Sequence, residues 1–153
     1  MSGITERWEY KRICSHLDTL SPELSGHIRR LPALPEETAV AAGGYLLAGC
    51  CDSTNEIWVV LCREKIWQLP GDWLTEKLEK LIKAGGIDLT DDYEYANLLA
   101  ALAIFEKAAK KLAGMGLASP NLEVREYAAD YLAEPTSYDK LIAQTKAQLE
   151  SWQ

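Results

Sequence analysis

The chain has 153 residues, of which 48% are hydrophobic and 25% are charged. This length and composition exclude a chain that is disordered throughout and predict a single domain over residues 1–153. The net charge of −7 at pH 7 disfavours nucleic-acid binding, because phosphate contacts need a basic surface, and suits a basic protein partner.

Helix signals begin at the start of the chain. Apolar residues from Ile4 to Leu20 recur at helical spacing and predict a first helix over about the first twenty residues. Ser21-Pro22-Glu23 then has the composition of a helix start, so we expect a second helix that carries Leu24, Ile28 and Leu31 and ends before Pro32.

The third predicted helix opens at Pro35-Glu36-Glu37 and runs to Cys50. Gly43-Gly44 lies inside it. Glycine is unfavourable in a helix interior, so this pair indicates either a close helix–helix contact or a break into two pieces.

Residues 57–69 allow two interpretations. Their first half, Ile-Trp-Val-Val-Leu-Cys, is rich in β-branched and aromatic residues, which favours a small β-hairpin with its turn at 63–65. Ser53-Thr54-Asn55-Glu56 has the form of a capping box, which favours a helix. We prefer the helix, because a lone hairpin is marginal in water, and leave the hairpin open.

The next helix is predicted to be capped by Asp72 and to stop at Gly85-Gly86. Thr90-Asp91-Asp92 then opens the longest predicted helix, whose apolar stripe runs over residues 95–112 and which ends at Gly114.

Two further helices complete the prediction. Ser119-Pro120 starts one that ends at Pro135, with Val124, Ala128, Tyr131 and Leu132 facing inward, and Thr136 or Ser137 starts the last. The predicted fold class is therefore all-α, a compact array of seven or eight antiparallel helices joined by short loops.

Residues 117–132 carry a family resemblance. They resemble one helix start of a HEAT repeat, in which a Ser/Asp-Pro turn precedes a Val-Arg pair and then Ala-Ala and Leu on the packed face. Arg125 is expected to reach helix carbonyls or a neighbouring carboxylate. No second copy follows at the period of about 40–47 residues, so a stacked solenoid is not predicted. The matching positions are Ser119, Pro120, Val124, Arg125, Ala128, Ala129 and Leu132.

The same segment is similar to the C-terminal part of small bacterial immunity proteins, which pair a long helix with a HEAT-like turn. Asp-Asp-Tyr-Glu-Tyr at 91–95, followed by Asn-Leu-Leu at 97–99, adds to this similarity. The resemblance implies protein–protein binding and assigns no functional residue.

The candidate partner-binding residues surround the predicted start of the longest helix. One or two acidic residues there would offset the helix dipole, and four within seven residues exceed that need. Tyrosine beside acid is common at protein interfaces, and Tyr95 belongs to the apolar stripe, so Tyr93 is the contact candidate. The predicted set is Asp88, Asp91, Asp92, Tyr93 and Glu94.

The sequence contains no motif that is typical of a catalytic site. His16 and His27 stand in the first two predicted helices without a nucleophile in a strained turn, and the glycine pairs match no phosphate-binding loop. We therefore predict no enzyme, no cofactor and no metal site. A small enzyme with a site assembled from distant residues would instead need a deep polar pocket containing one of the histidines.

Function is predicted as a binding inhibitor of the immunity type, which masks a basic toxin or nuclease domain sterically and electrostatically. The alternative is a helical adaptor or regulatory subunit that uses a tryptophan-rich turn or an Ala/Gly helix face for assembly. Trp58, Trp67 and Trp73 flank Pro70-Gly71 and are either core or interface, with core preferred.

The compartment follows from the start of the chain and from the cysteines. Residues 1–12 carry five charged side chains and no apolar run, unlike a signal peptide. The most apolar stretch, residues 39–51, is shorter than the roughly 20 residues that a membrane span needs. We expect a cytoplasmic protein without membrane contact, with reduced thiols at Cys14, Cys50, Cys51 and Cys62.

Overall fold

A computed structural model describes residues 3–52 and 54–153 and is 79% helical. No β-strand occurs among these residues, which confirms the all-α prediction. Single turns of 3₁₀ helix lie at Ile4–Glu6, Leu24–Gly26 and Pro135–Tyr138, and a longer one at Ile28–Ala33. The α-helices are α1 (Trp8–Leu20), α2 (Glu36–Cys50), α3 (Glu56–Ile66), α4 (Gly71–Gly85), α5 (Asp92–Leu102), α6 (Glu106–Leu117), α7 (Leu122–Ala133) and α8 (Asp139–Ser151).

Helix α2 lies at the centre and packs against α3, α4 and α5. It remains continuous through Gly43 and Gly44, both of which are buried against α4. A Cβ on Gly44 would lie 2.9 Å from the Ala84 Cβ and 3.0 Å from the Leu81 carbonyl oxygen, so the two backbones nearly touch. The glycine pair therefore marks the close helix–helix contact and not the break.

The β-hairpin considered for residues 57–69 is wrong. Residues 56–66 form α3, and the Asn55 Oδ1 caps it by accepting a 3.0 Å hydrogen bond from the Trp58 amide. Ser53 of the predicted capping box lies outside the described residues. Most of α3 is buried, and packing on several sides outweighs the intrinsic strand preference of its β-branched residues.

The prediction of one long helix from Thr90 to Gly114 is wrong, because this segment contains two helices. Helix α5 ends at Leu102, and α6 begins at Glu106 after Phe105, whose backbone is extended. The Tyr95 hydroxyl donates a 2.9 Å hydrogen bond to the Leu112 carbonyl. In one continuous helix these two residues would stand about 25 Å apart, so the apolar stripe reaches the core only by folding back.

Helix starts differ from prediction in three places. The second predicted helix is a pair of 3₁₀ segments after Glu23, a residue with a left-handed φ of 63°. Asp72 lies in the first turn of α4, which Pro70 precedes as cap. The last helix begins at Asp139. Each predicted start depended on local residue preferences, which backbone packing nearby can override.

Residues 117–132 include most of α7, which begins at Leu122, two residues after the predicted Ser119-Pro120 start. Asn121 caps the helix, and the Arg125 Nη1 donates a 2.8 Å hydrogen bond back to the Ser119 carbonyl. Val124 and Ala128 are buried, but Leu132 is 40% exposed, so its predicted inward position is wrong. The buried face of α7 runs through Val124, Ala128 and Tyr131, which are spaced four and three residues apart and so share one side of the helix.

The thiols of the four cysteines are all free. Cys50, Cys51 and Cys62 are buried, and burial raises the pKa of each of these thiols. Cys14 is half-buried. None of the helices in the described part of the chain combines the length and the apolar run needed to cross a membrane.

We expect Gly44→Ala to lower the free energy of unfolding by about 1–3 kcal/mol, because the new methyl group meets backbone of α4 that cannot rotate away. Gly114→Ala is the matched control. Its Cβ would meet nothing within 4 Å, so alanine should stabilise α6 by up to about 1 kcal/mol. Urea unfolding of both variants measures this, and a stabilised Gly44→Ala protein would contradict the close contact.

A second prediction concerns thiol reactivity. In the folded protein a disulfide reagent such as DTNB should modify Cys14 quickly and the three buried thiols only on unfolding, because buried thiols with raised pKa values form little thiolate. Cys14→Ser should abolish the fast phase. A fast phase that persists in this variant would show that a buried thiol is accessible.

Candidate functional site

Asp88 and Asp91 shape the loop that leads into α5. The Asp88 Oδ1 accepts hydrogen bonds of 2.9 Å from the Thr90 amide and 2.7 Å from its hydroxyl, and these bonds hold the pKa of Asp88 below its ordinary value. Asp91 is the N-cap of α5, with its Oδ1 accepting from the Glu94 amide at 2.9 Å. Both carboxylates thus have a structural role and lie at the surface.

The start of α7 lies beside the start of α5. The Asn121 side-chain amide donates a 2.8 Å hydrogen bond to the Thr90 carbonyl, which ties the two helix starts together. The Asp92 carboxyl of α5 acts on the Glu123 carboxyl of α7, and its hydrogen bond and charge raise the pKa of Glu123. Two acidic side chains therefore influence each other across the helix starts, and neither forms a salt bridge with a described residue.

The acidic region continues along α7 through residues that sequence reasoning missed. Glu123, Glu126 and Asp130, with Tyr127 among them, line one open groove. Their spacing of three, four and seven residues places them on one side of a helix, and this was the signal that could have found them. We name Asp88, Asp91, Asp92, Glu123, Glu126 and Asp130 the acidic surface.

The predicted residues Tyr93 and Glu94 lie apart from the acidic surface. Two residues along a helix correspond to about 200° of rotation, so Glu94 points away from Asp92. Its charge instead contributes to raising the pKa of Cys51. Tyr93 is 54% exposed and lines a cavity between α3, α5 and α8. The structure thus brings Asp88, Asp91 and Asp92 together with α7 and leaves Tyr93 and Glu94 on neighbouring faces.

Ion pairs occur elsewhere on the described chain. Lysines of α4 and α6 neutralise nearby acids: Lys77 and Lys80 contact Glu36 at 2.7 and 2.9 Å, and Lys110 contacts Glu106 at 2.6 Å. Within residues 3–52 and 54–153, no carboxylate of the acidic surface forms a salt bridge. The negative charge of this surface is therefore uncompensated within the described chain.

Exposed apolar and aromatic side chains border the acidic surface. Leu122 is 59% exposed and Tyr127 is 40% exposed, both on α7, and Leu117 at the end of α6 is 46% exposed. Such side chains beside charge provide apolar area that a partner can bury.

The tryptophans and histidines have other positions. Trp58, Trp67 and Trp73 are partly buried against the core, and the Trp67 indole donates a 2.9 Å hydrogen bond to the Ala101 carbonyl. His27 is exposed, and His16 stacks on Tyr45 with ring centroids 3.9 Å apart.

The groove that His16 lines holds no carboxylate. Among the described side chains, no group of three His, Cys, Asp or Glu is arranged to hold a metal ion.

No known protein family, curated protein or solved structure matches this chain.

We predict that Asp92→Asn lowers the pKa of Glu123 toward the ordinary value of 4.5, because the neighbouring charge and hydrogen bond are removed or weakened. A carboxyl whose pKa is raised by folding stabilises the folded protein below the unfolded pKa, and this contribution is lost as pH rises through the folded pKa. Carbon-detected NMR titration of the glutamate carboxyls measures the change.

Glu126→Gln is the control, because Glu126 contributes less to the pKa of Glu123 than Asp92 does. The Asp92–Glu123 contact is contradicted if Asp92→Asn leaves the titration of Glu123 where it is in the native protein.

Proposed function

We propose that this protein is a binding inhibitor of the immunity type, which binds a basic protein through the acidic surface and blocks its functional groove. The observation that carries the proposal is that Glu123, Glu126 and Asp130 line one open groove on α7, and no carboxylate of the acidic surface forms a salt bridge within the described residues. A surface that holds like charges together stabilises a bound cationic surface more than it stabilises the free protein.

The mechanism requires no bond chemistry on the part of this chain. A toxin that binds nucleic acid presents lysine and arginine along its substrate groove, and an acidic helix pair matches that pattern of charge. Complementary charge speeds the encounter of the two proteins, and the helices then exclude substrate sterically. The resemblance of residues 117–132 to HEAT-like immunity proteins supports the same proposal.

Tyr127 and Leu122 are the proposed apolar anchors of the interface. Both stand on α7 among the acidic residues and expose 40% and 59% of their surface. Anchors of this kind supply most of the binding energy, while the surrounding charges set the rate and the choice of partner.

The adaptor alternative would use the tryptophan-rich turn or an Ala/Gly helix face for assembly. In this fold, residues of both surfaces pack against other parts of the same chain. Gly43 and Gly44 contact α4, and Trp67 packs on the core with its indole hydrogen-bonded. The acidic surface therefore supports the inhibitor better than the adaptor.

The test compares two variants that lose equal charge. One replaces Asp92, Glu123, Glu126 and Asp130 by their amides, and the other replaces Glu6, Glu23, Glu37 and Glu150. A photo-reactive amino acid at Tyr127 identifies the partner in the native host, and stopped-flow association with the purified partner follows. We expect the first variant to associate about tenfold or more slowly at low salt and with a weaker salt dependence, because steering is lost.

The second variant controls for net charge and should retain most of the native rate. Equal rates for the two variants, or a partner whose contact surface is acidic, would contradict the proposal.

A further inference from the structure

A second site lies beside the acidic surface, in a cavity of about 360 Å³ between α3, α5 and α8. This volume is within the range of small-ligand pockets, about 300–1,000 Å³. Its walls combine aliphatic side chains with charged and amide groups. The arrangement of these charges indicates what the cavity can hold.

Arg63 of α3 is the unusual group in this cavity. Its side chain is buried, with the residue only 7% exposed. The Nη1 donates a 3.4 Å hydrogen bond to the Thr145 hydroxyl, and the Nε has no hydrogen-bond partner in the described chain. Burial lowers the pKa of the guanidinium. The Nε has almost no accessible surface, so a ligand in the cavity would meet the guanidinium through its Nη groups, of which only Nη1 has a hydrogen bond in the described chain.

Thr145 holds the guanidinium in place. Its hydroxyl donates a 3.0 Å hydrogen bond to the Leu141 carbonyl, and its oxygen therefore faces Arg63 as an acceptor. One acceptor occupies one of the five N–H donors of the guanidinium. The remaining donors suit the two oxygens of a carboxylate in a bidentate pair.

Acidic residues line the same cavity. Asp52 and Glu56 stand near the start of α3, and neither forms a salt bridge with a described residue. Glu56 is close enough to Arg63 for its charge to raise the pKa of the guanidinium partly back. A simple anion would be repelled by these carboxylates and a simple cation by Arg63. The cavity therefore favours a ligand that carries both charges.

The spacing of the charges sets the shape of that ligand. Glu56 and Arg63 are seven residues apart on α3, about 10 Å along the helix axis. Gln144 and Gln148 of α8 line the space between the helices, and their side-chain amides form no hydrogen bond with the described chain. The two charged ends of the ligand are thus separated by a chain of several bonds, with polar groups available alongside.

We infer that this cavity binds an amino acid with a basic side chain, such as lysine, either free or at the C-terminus of a peptide. The carboxylate pairs with Arg63, and the cationic end lies between Asp52 and Glu56. This site is separate from the acidic surface, and it adds small-ligand recognition to a protein proposed to bind a macromolecule.

The experiment is calorimetric titration with probes that each lack one feature. L-lysine carries both charges, lysinamide lacks the carboxylate and norleucine lacks the side-chain ammonium. Ala-Ala-Lys and its C-terminal amide distinguish a peptide end from a free amino acid. We expect L-lysine or Ala-Ala-Lys to bind, and lysinamide, norleucine and the peptide amide to bind on the order of tenfold more weakly or not at all, since each loses one charged pair.

Two substitutions test the assigned residues. Arg63→Met should abolish carboxylate binding while leaving the protein at least as stable, because methionine fills the space without an unpaired buried charge. Arg63→Lys should bind more weakly than native protein, since lysine lacks the planar fork. Glu56→Gln should weaken the binding of lysine more than the binding of norleucine. Arg29→Met, at an exposed arginine, is the matched control and should bind as native protein does.

A direct readout accompanies the calorimetry. The Arg63 Nε–H signal, assigned by its absence in Arg63→Met, should shift on addition of L-lysine or Ala-Ala-Lys. No heat and no shift with either probe would overturn the inference, as would equal affinity for lysine and lysinamide. The variant with four amide replacements on the acidic surface should still bind the ligand, so failure here and failure of the proposed inhibitor are distinguishable.

Discussion

The close contact between α2 and α4 positions the rest of the molecule. Gly44 on α2 and Gly85 on α4 lack side chains where the helices meet, and a Cβ on Gly85 would lie 2.5 Å from the Gly44 carbonyl oxygen. Because the backbones approach this closely, α2 can be buried on most of its surface and serve as the centre for α3, α4 and α5. The acidic surface depends on where α5 lies, and the Arg63 cavity depends on where both α3 and α5 lie.

The distribution of ion pairs explains why one face stays negative. The lysines of α4 and α6 lie close to Glu36, Glu79 and Glu106 and neutralise them locally. No comparable cation stands beside the acidic surface in the described chain, although Arg125 is on the same helix. Arg125 bonds the Ser119 carbonyl at the start of α7, and this structural use keeps it from the carboxylates.

Arg63 shows the opposite arrangement, because it is a buried cation that forms no salt bridge with a described residue, although the charge of Glu56 raises its pKa partly back. An unpaired buried charge costs several kcal/mol, a large part of the total stability of a domain. A methionine of similar length would avoid that cost. Charged groups buried without a partner are typical of binding sites, where preorganisation opposes stability.

The sequence by itself determined the helical class, the order and approximate bounds of most helices, and the apolar faces, because apolar periodicity and local caps are properties of short segments. It also placed Asp88, Asp91 and Asp92 at the start of one helix. Only the tertiary structure decided that the stripe from Tyr95 to Leu112 folds back on itself, that residues 57–66 are helical, and that α7 adds its carboxylates to those of α5. Each of these depends on contacts between residues distant in the chain, whose energies exceed the local preferences on which the predictions were based. The Arg63 cavity is the clearest case, because its charges and amides come from three helices and no spacing within any one of them predicts their meeting.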